Sequence, residues 1–98
     1  MTHPTIGFIG AGNMAASLIG GLVAKGFDPQ RLFAADPNTA ALQALSQQYG
    51  VVACPDNAAV VAAADVLLLA VKPQVMKTVL AGLAGAVQAR QPLVISIA

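Results

Sequence analysis

The chain has 98 residues, 57% of them hydrophobic and 9% charged, and a mean hydropathy of +0.74 excludes a disordered segment, which lacks the apolar surface needed to offset chain entropy. A net charge of +1, with Lys25, Arg31, Lys72, Lys77 and Arg90 scattered, excludes the basic stripe that a nucleic-acid backbone requires. The single cysteine, Cys54, excludes an internal disulfide and a cysteine-based metal cluster, and a reducing cytoplasm is the expected compartment.

One domain is expected, and its low charge is unusual for a free-standing one, where roughly a quarter of residues carry charge. An exposed apolar patch that a further domain would cover follows as an expectation. His3 falls in a terminal segment, where a solvated side chain is expected rather than a ligand.

The first stretch, "TIGFIGAGNMAASLIGGLVAKG", carries no charge until Lys25. Only Met1, Thr2, His3 and Pro4 precede it, with no positive region, and no small-residue cleavage site follows, so a secretory signal is not expected. A membrane span needs about twenty sustained apolar residues. Gly7, Gly10, Gly12 and Asn13 interrupt the run at its start, and the pattern reads instead as strand, tight turn and helix.

"TIGFIG" is therefore a buried strand, and "NMAASLIGGLVAK" a helix with Lys25 in its last turn and Gly26 just past its end. Gly20-Gly21 inside that helix each cost about 1 kcal/mol relative to alanine; close helix-to-strand approach is the expected compensation, and an alanine-rich composition tolerating them is the alternative. "RLFAA" is a second strand. "DPNTAALQALSQQY" opens on capping residues, spaces Leu42, Leu45 and Tyr49 along one face, and stops at Gly50.

"VVA" is a brief third strand, after which Asp56 or Asn57 caps a short helix through "AAVVAAA". "DVLLLAV" is continuously apolar, as a strand buried on both faces of a parallel sheet should be. Pro73 suits the first turn of another helix, running through Val75, Val79, Leu80 and Leu83, and "PLVISIA" supplies a fifth strand. Strands and helices thus alternate with short connections, predicting an α/β fold of the Rossmann type: a doubly wound parallel sheet of five strands with flanking helices.

After the first strand, Gly10-Ala11-Gly12-Asn13-Met14-Ala15 has the form G-x-G-x-x-A. Gly10 permits the tight turn, Gly12 lets the backbone approach a pyrophosphate, and Ala15 permits close packing of helix on strand, while the helix start offers unpaired N–H groups to the phosphates. Asp36 ends the second strand twenty-four residues after Gly12, close to the roughly twenty expected for the residue that reads the ribose.

An acidic group there hydrogen-bonds a ribose 2′-OH and repels a 2′-phosphate, which favours NADH; alternatively Asp36-Pro37-Asn38 is only a turn and helix cap. Asn38 and Thr39 could donate to a phosphate, so the choice between NADPH and NADH stays open. In a doubly wound sheet the fourth strand lies beside the first, and ligands bind at the carboxyl ends where the order reverses. That places Lys72, Pro73 and Gln74 near the cofactor, with a solvated loop lysine as the alternative for Lys72.

"FIGAGNMA", the following "GGL", "NAAVVAAADVLLLAVKPQ" and the terminal "ISIA" together resemble the pyrroline-5-carboxylate reductases along essentially the whole chain. The resemblance implies reduction of a small cyclic imine, 1-pyrroline-5-carboxylate, to L-proline by NADPH or NADH, the last step of proline biosynthesis. Carried over by position, it places cofactor contacts at Gly10, Gly12, Asn13 and Met14, in the segment from Asp36, at Asn57 near the adenosine ribose, and at Ala70, Lys72 and Pro73 beside the nicotinamide half. Without it, Asn57 reads as a helix cap.

The resemblance further implies that residues 1–98 are an N-terminal cofactor domain, followed in the family by a largely helical domain that dimerises and completes the substrate pocket. Catalytic residues stay unassigned here and are expected there; a homo-oligomer and a cytoplasmic location are expected for the whole protein. Another NAD(P)- or F420-dependent reductase sharing this domain, or a non-catalytic dinucleotide-binding module, are the competing readings. No metal and no nucleic-acid or membrane partner is expected.

Overall fold

The structure is a computed structural model and describes residues 4–96. His3 and the last two residues of the expected fifth strand, Ile97 and Ala98, lie outside the described residues. Five strands alternate with four helices: β1 (Ile6–Ile9), α1 (Asn13–Ala24), β2 (Leu32–Ala35), α2 (Thr39–Tyr49), β3 (Val52–Ala53), α3 (Asn57–Ala63), β4 (Val66–Leu69), α4 (Pro73–Arg90) and β5 (Leu93–Ser96). All pairings are parallel, in the order β3-β2-β1-β4-β5. The chain builds outward from β1 through β2 to β3, then returns to lay β4 on the other side of β1.

That reversal has a local cause at each turn. A side chain caps α2 where Asn38 Oδ1 accepts from the Ala41 N–H at 3.1 Å, and Gly50, at φ +82°, ends the helix in the left-handed region. Asp56, rather than Asn57, caps α3: its Oδ1 accepts from the Ala59 N–H at 2.8 Å. Pro73 occupies the first turn of α4, where its missing N–H costs nothing. Gly26 lies just past α1 at φ +92°, and Lys25 is the cap residue outside the last turn.

Alternation along the strands divides the core into two layers. Ile6 and Phe8 of β1 face α1 and α2, packing with Ile19, Leu32, Leu42 and Leu45. Ile9 faces α3 and α4, with Val60, Val61, Leu67, Leu69 and Leu83. Phe8, Ile19, Leu32 and Leu67 are fully buried, each worth roughly 1.5–3 kcal/mol over an exposed position. Helices thus cover both faces, as the doubly wound reading requires.

Three local expectations are corrected. Arg31 belongs to a 3-10 turn, Pro29–Arg31, rather than to β2, because the Asp28 side chain accepts from the Gln30 N–H at 2.9 Å and caps that turn. Gly20 does not serve a helix-to-strand approach: a Cβ there would lie 2.8 Å from the Tyr49 hydroxyl of α2, so the contact is helix to helix, while Gly21 faces open space. The glycine that brings helix onto strand is Gly7, where a Cβ would lie 2.5 Å from Val60 Cγ1 and 3.0 Å from Ala64 Cβ of α3 and the residue after it.

At the amino end of the sheet, Asp65 fastens three segments. The Thr5 N–H donates to its Oδ2 at 3.1 Å and Arg90 Nη2 donates to Oδ1 at 2.7 Å. The Thr5 N–H, then the Thr5 hydroxyl, then Arg90 hold the carboxyl below its ordinary value near 3.8. β5, at the outer edge, exposes Leu93, Val94 and Ile95, and α4 exposes Val75 and Leu80.

Candidate functional site

The carboxyl ends of β1 and β4 frame the site because β1 is the strand at which the order reverses. The ladder continues one step past both strands: the Gly10 N–H donates to the Ala35 carbonyl at 2.8 Å, and the Ala70 N–H donates to the Ile9 carbonyl at 2.9 Å. Gly10 then turns at φ +113°, and a Cβ on it would run into the Ala70 carbonyl. Only glycine meets both conditions, since other residues reach such φ values at a cost and would also collide here.

Gly12 is different: its backbone is extended, and a Cβ there would meet nothing within 4 Å. The space beside it is the mouth of a cavity of about 830 Å³. The nine residues assigned above as cofactor contacts line that cavity: Gly10, Gly12, Asn13 and Met14 from the glycine turn, Asp36 from the end of β2, Asn57 from the start of α3, and Ala70, Lys72 and Pro73 from the end of β4 and the start of α4. Gln74 does not line it. Residues 60 positions apart in sequence thus meet at one opening.

Of the three helix starts that line this cavity, two carry no side-chain cap. No side chain caps α1 at Gly12 or α4 at Lys72, whereas Asn38 and Asp56 cap α2 and α3. The first intrahelical bond of α1 runs from the Ala16 N–H to the Gly12 carbonyl at 2.9 Å, which leaves the N–H groups of Asn13, Met14 and Ala15 without a helical partner. An uncapped N-terminus facing a cavity is suited to an anion.

Charge at the cavity is sparse. Among the described residues, Asp36 and Lys72 are the charged groups lining it, on the β2 side and the β4 side respectively. Asp36 is half-buried, and both of its oxygens are engaged: Oδ2 accepts from the Ala11 N–H of the glycine turn and Oδ1 from the Asn38 N–H, each at 2.7 Å. It therefore forms the turn foreseen as the plainer alternative while still facing the cavity, and the cap itself falls to Asn38. Asn57, released from capping by Asp56, lines the opening.

Sequence reasoning missed the inner wall of α4, where Val75, Thr78 and Val79 line the cavity. Their spacing of three and four puts them on one helical face, a signal available once Pro73 fixed the helix start. Also missed was the bond from Ala11 to Asp36, which joins the two halves of the fingerprint across twenty-five positions. Among the described residues no three His, Cys, Asp or Glu come together to hold a metal ion, and no helix is long and apolar enough to cross a membrane.

A family model described as NADP oxidoreductase coenzyme F420-dependent matches residues 5–98. The chain is 47% identical over 98 residues to the pyrroline-5-carboxylate reductase of Pseudomonas aeruginosa, covering all of this chain and 36% of that protein. To the enzyme of the same name from Vibrio alginolyticus it is 43% identical over 98 residues, again covering 36% of the relative. A solved pyrroline-5-carboxylate reductase from Coxiella burnetii is similar with a TM-score of 0.92 at 36% identity, over 98% of this chain and 36% of that one. The chain spans about a third of the length of the relatives it matches.

Proposed function

This chain belongs to the family described as NADP oxidoreductase, coenzyme F420-dependent, and on that premise we propose that it is the dinucleotide-binding part of a pyrroline-5-carboxylate reductase. The observation that carries the proposal is the cavity at the reversal of strand order, where the glycine turn and the Ala70-Val71-Lys72-Pro73 segment face each other. The similarity to named reductases over the whole chain supplies the reaction: reduction of 1-pyrroline-5-carboxylate to L-proline with NADPH or NADH.

The residues fit such a cofactor. Open space beside Gly12 lets the backbone lie against a pyrophosphate, and Asn13 and Met14, whose N–H groups have no helical partner, line the same cavity. Lys72 supplies a positive charge at the opposite rim. Ala70 and Pro73 would wall the nicotinamide half, and Val75 and Val79 line the cavity with apolar surface. When bound, the reduced nicotinamide supplies the hydride.

This chain's own contribution is positional. It fixes the nucleotide at one end of a rigid sheet, so that reacting carbons can be held within near-attack distance. Supported by the greater length of the relatives, we assign substrate recognition and proton donation to a second, helical domain that also builds a homo-oligomer, and we place the protein in the cytoplasm.

Two measurements test this reading. Calorimetric titration with NADH and NADPH should show binding that Gly12→Val abolishes. The protein at the full length its gene encodes should reduce 1-pyrroline-5-carboxylate; oxidation of hydroxyacids in its place would overturn the assignment in favour of another reductase carrying this domain.

A further inference from the structure

We infer that Asp36 is a positioning residue for the phosphates of the cofactor, holding the glycine turn in its binding shape through the Ala11 N–H; the inference rests on the cofactor reading above. The pairing of β1 with β2 does not stop where the strands do. The Gly10 N–H donates to the Ala35 carbonyl at 2.8 Å, and the next N–H, that of Ala11, donates to Asp36 Oδ2 at 2.7 Å. Two consecutive residues of the turn are thus moored to two consecutive residues at the end of β2, the second through a side chain.

This mooring has a local cause. Gly10 turns at φ +113° and Gly12 is extended, so Ala11 lies between two different backbone conformations and leaves the main-chain ladder. Ala11 is buried, and a buried N–H needs an acceptor. Asp36 provides it in a short, charge-assisted bond. The carboxylate is itself fixed, because its other oxygen accepts from the Asn38 N–H at 2.7 Å, closing a turn two residues on. Ala11 does not line the cavity, so its bond to Asp36 acts on a ligand only through the turn.

Gly12, Asn13 and Met14 follow directly and do line the cavity. A turn fixed in advance spares the ligand the entropy of ordering it. Charge works the other way: Asp36 lines the same cavity, and a carboxylate repels a phosphate there. Removing the carboxylate should therefore tighten phosphate binding if charge alone mattered, leave it unchanged if Asp36 met only the ribose, and weaken it if Asp36 holds the turn.

The test is a titration with inorganic pyrophosphate, which has no ribose, and with NADH, followed by protein-observed NMR on the wild type, Asp36→Ala, Asp36→Asn and Gly12→Val. Pyrophosphate should bind about fivefold weaker or worse to Asp36→Ala, with Asp36→Asn between it and the wild type. Both variants lose the charge alike, and Asn keeps one acceptor oxygen, so the difference between them isolates the bond. Hydrogen exchange of the Ala11 amide in the free protein should be about tenfold faster or more in Asp36→Ala, while the amides of β1 keep their protection, which a general loosening of the fold would not allow. Pyrophosphate binding that is unchanged or tighter in Asp36→Ala, an Ala11 amide that exchanges equally fast in both, or a wild type that takes NADH but no pyrophosphate at millimolar concentration would overturn the inference alone. Binding of neither ligand by folded protein, or full NADH binding by Gly12→Val, would overturn the cofactor reading and the inference with it.

Discussion

At the residue scale, the two glycines of the turn serve separate ends, and substitution separates them. Gly10 combines φ +113° with a neighbouring carbonyl that a Cβ would strike. Gly10→Ala should cost on the order of 1–3 kcal/mol of stability, read as a lowered midpoint of urea unfolding. Gly12 has an extended backbone and open space, so Gly12→Val should change the midpoint by about 1 kcal/mol or less, yet weaken nucleotide binding at least about 100-fold, some 2.7 kcal/mol. Cys54 gives a second residue-scale expectation. Burial, then the charge of Asp56, pushes its thiol up, with a hydrogen bond at Ala34 opposing. A disulfide reagent at pH 7 should therefore react with it only as fast as the protein opens; rapid stoichiometric labelling of the folded chain would contradict the packing described.

At the element scale, helix starts divide into those capped for stability and those left open. Asp56→Ala removes the acceptor for the Ala59 N–H and should cost about 1 kcal/mol, or about 4–8 °C in Tm for a domain of this size; an unchanged Tm by circular dichroism would show the cap is idle. The elements were legible because their apolar period switches between two and 3.6 residues, and because Gly26, Gly50 and Pro73 mark boundaries by fixed backbone preference. That the glycine turn and residues 70–73 line one cavity was legible because a doubly wound topology brings the ends of the first and fourth strands together whatever their side chains, whereas Asn57 entered only through the family resemblance. Contacts made at long range were not. Gly20 against Tyr49 and Gly7 against Val60 depend on how helices settle, and nothing within a local window encodes that. Arg31 was misplaced for a related reason: the Asp28 side-chain cap competes with strand pairing and wins by one residue.

At the scale of the whole molecule, the amino end of the sheet is tied by the exposed cluster of Thr5, Asp65 and Arg90, opposite to the cavity. Because the Asp65 carboxyl is held below its ordinary value near 3.8, its contribution is fully present above that value and is lost as the pH falls through the lower folded value. Thermal midpoints taken from pH 7 to pH 2 should fall across this window. In Asp65→Asn the fall should be shallower; an identical fall would place the acid sensitivity elsewhere. The sheet's two edges differ as well. β3 has two residues, too short to template another strand, while β5 offers four, with Leu93, Val94 and Ile95 exposed. A molecule that is adhesive along one border and blunt along the other cannot polymerise through its sheet. Two copies meeting border to border consume the adhesive edge on both, so any self-association by strand pairing closes at a pair related by a two-fold axis rather than growing into a fibre.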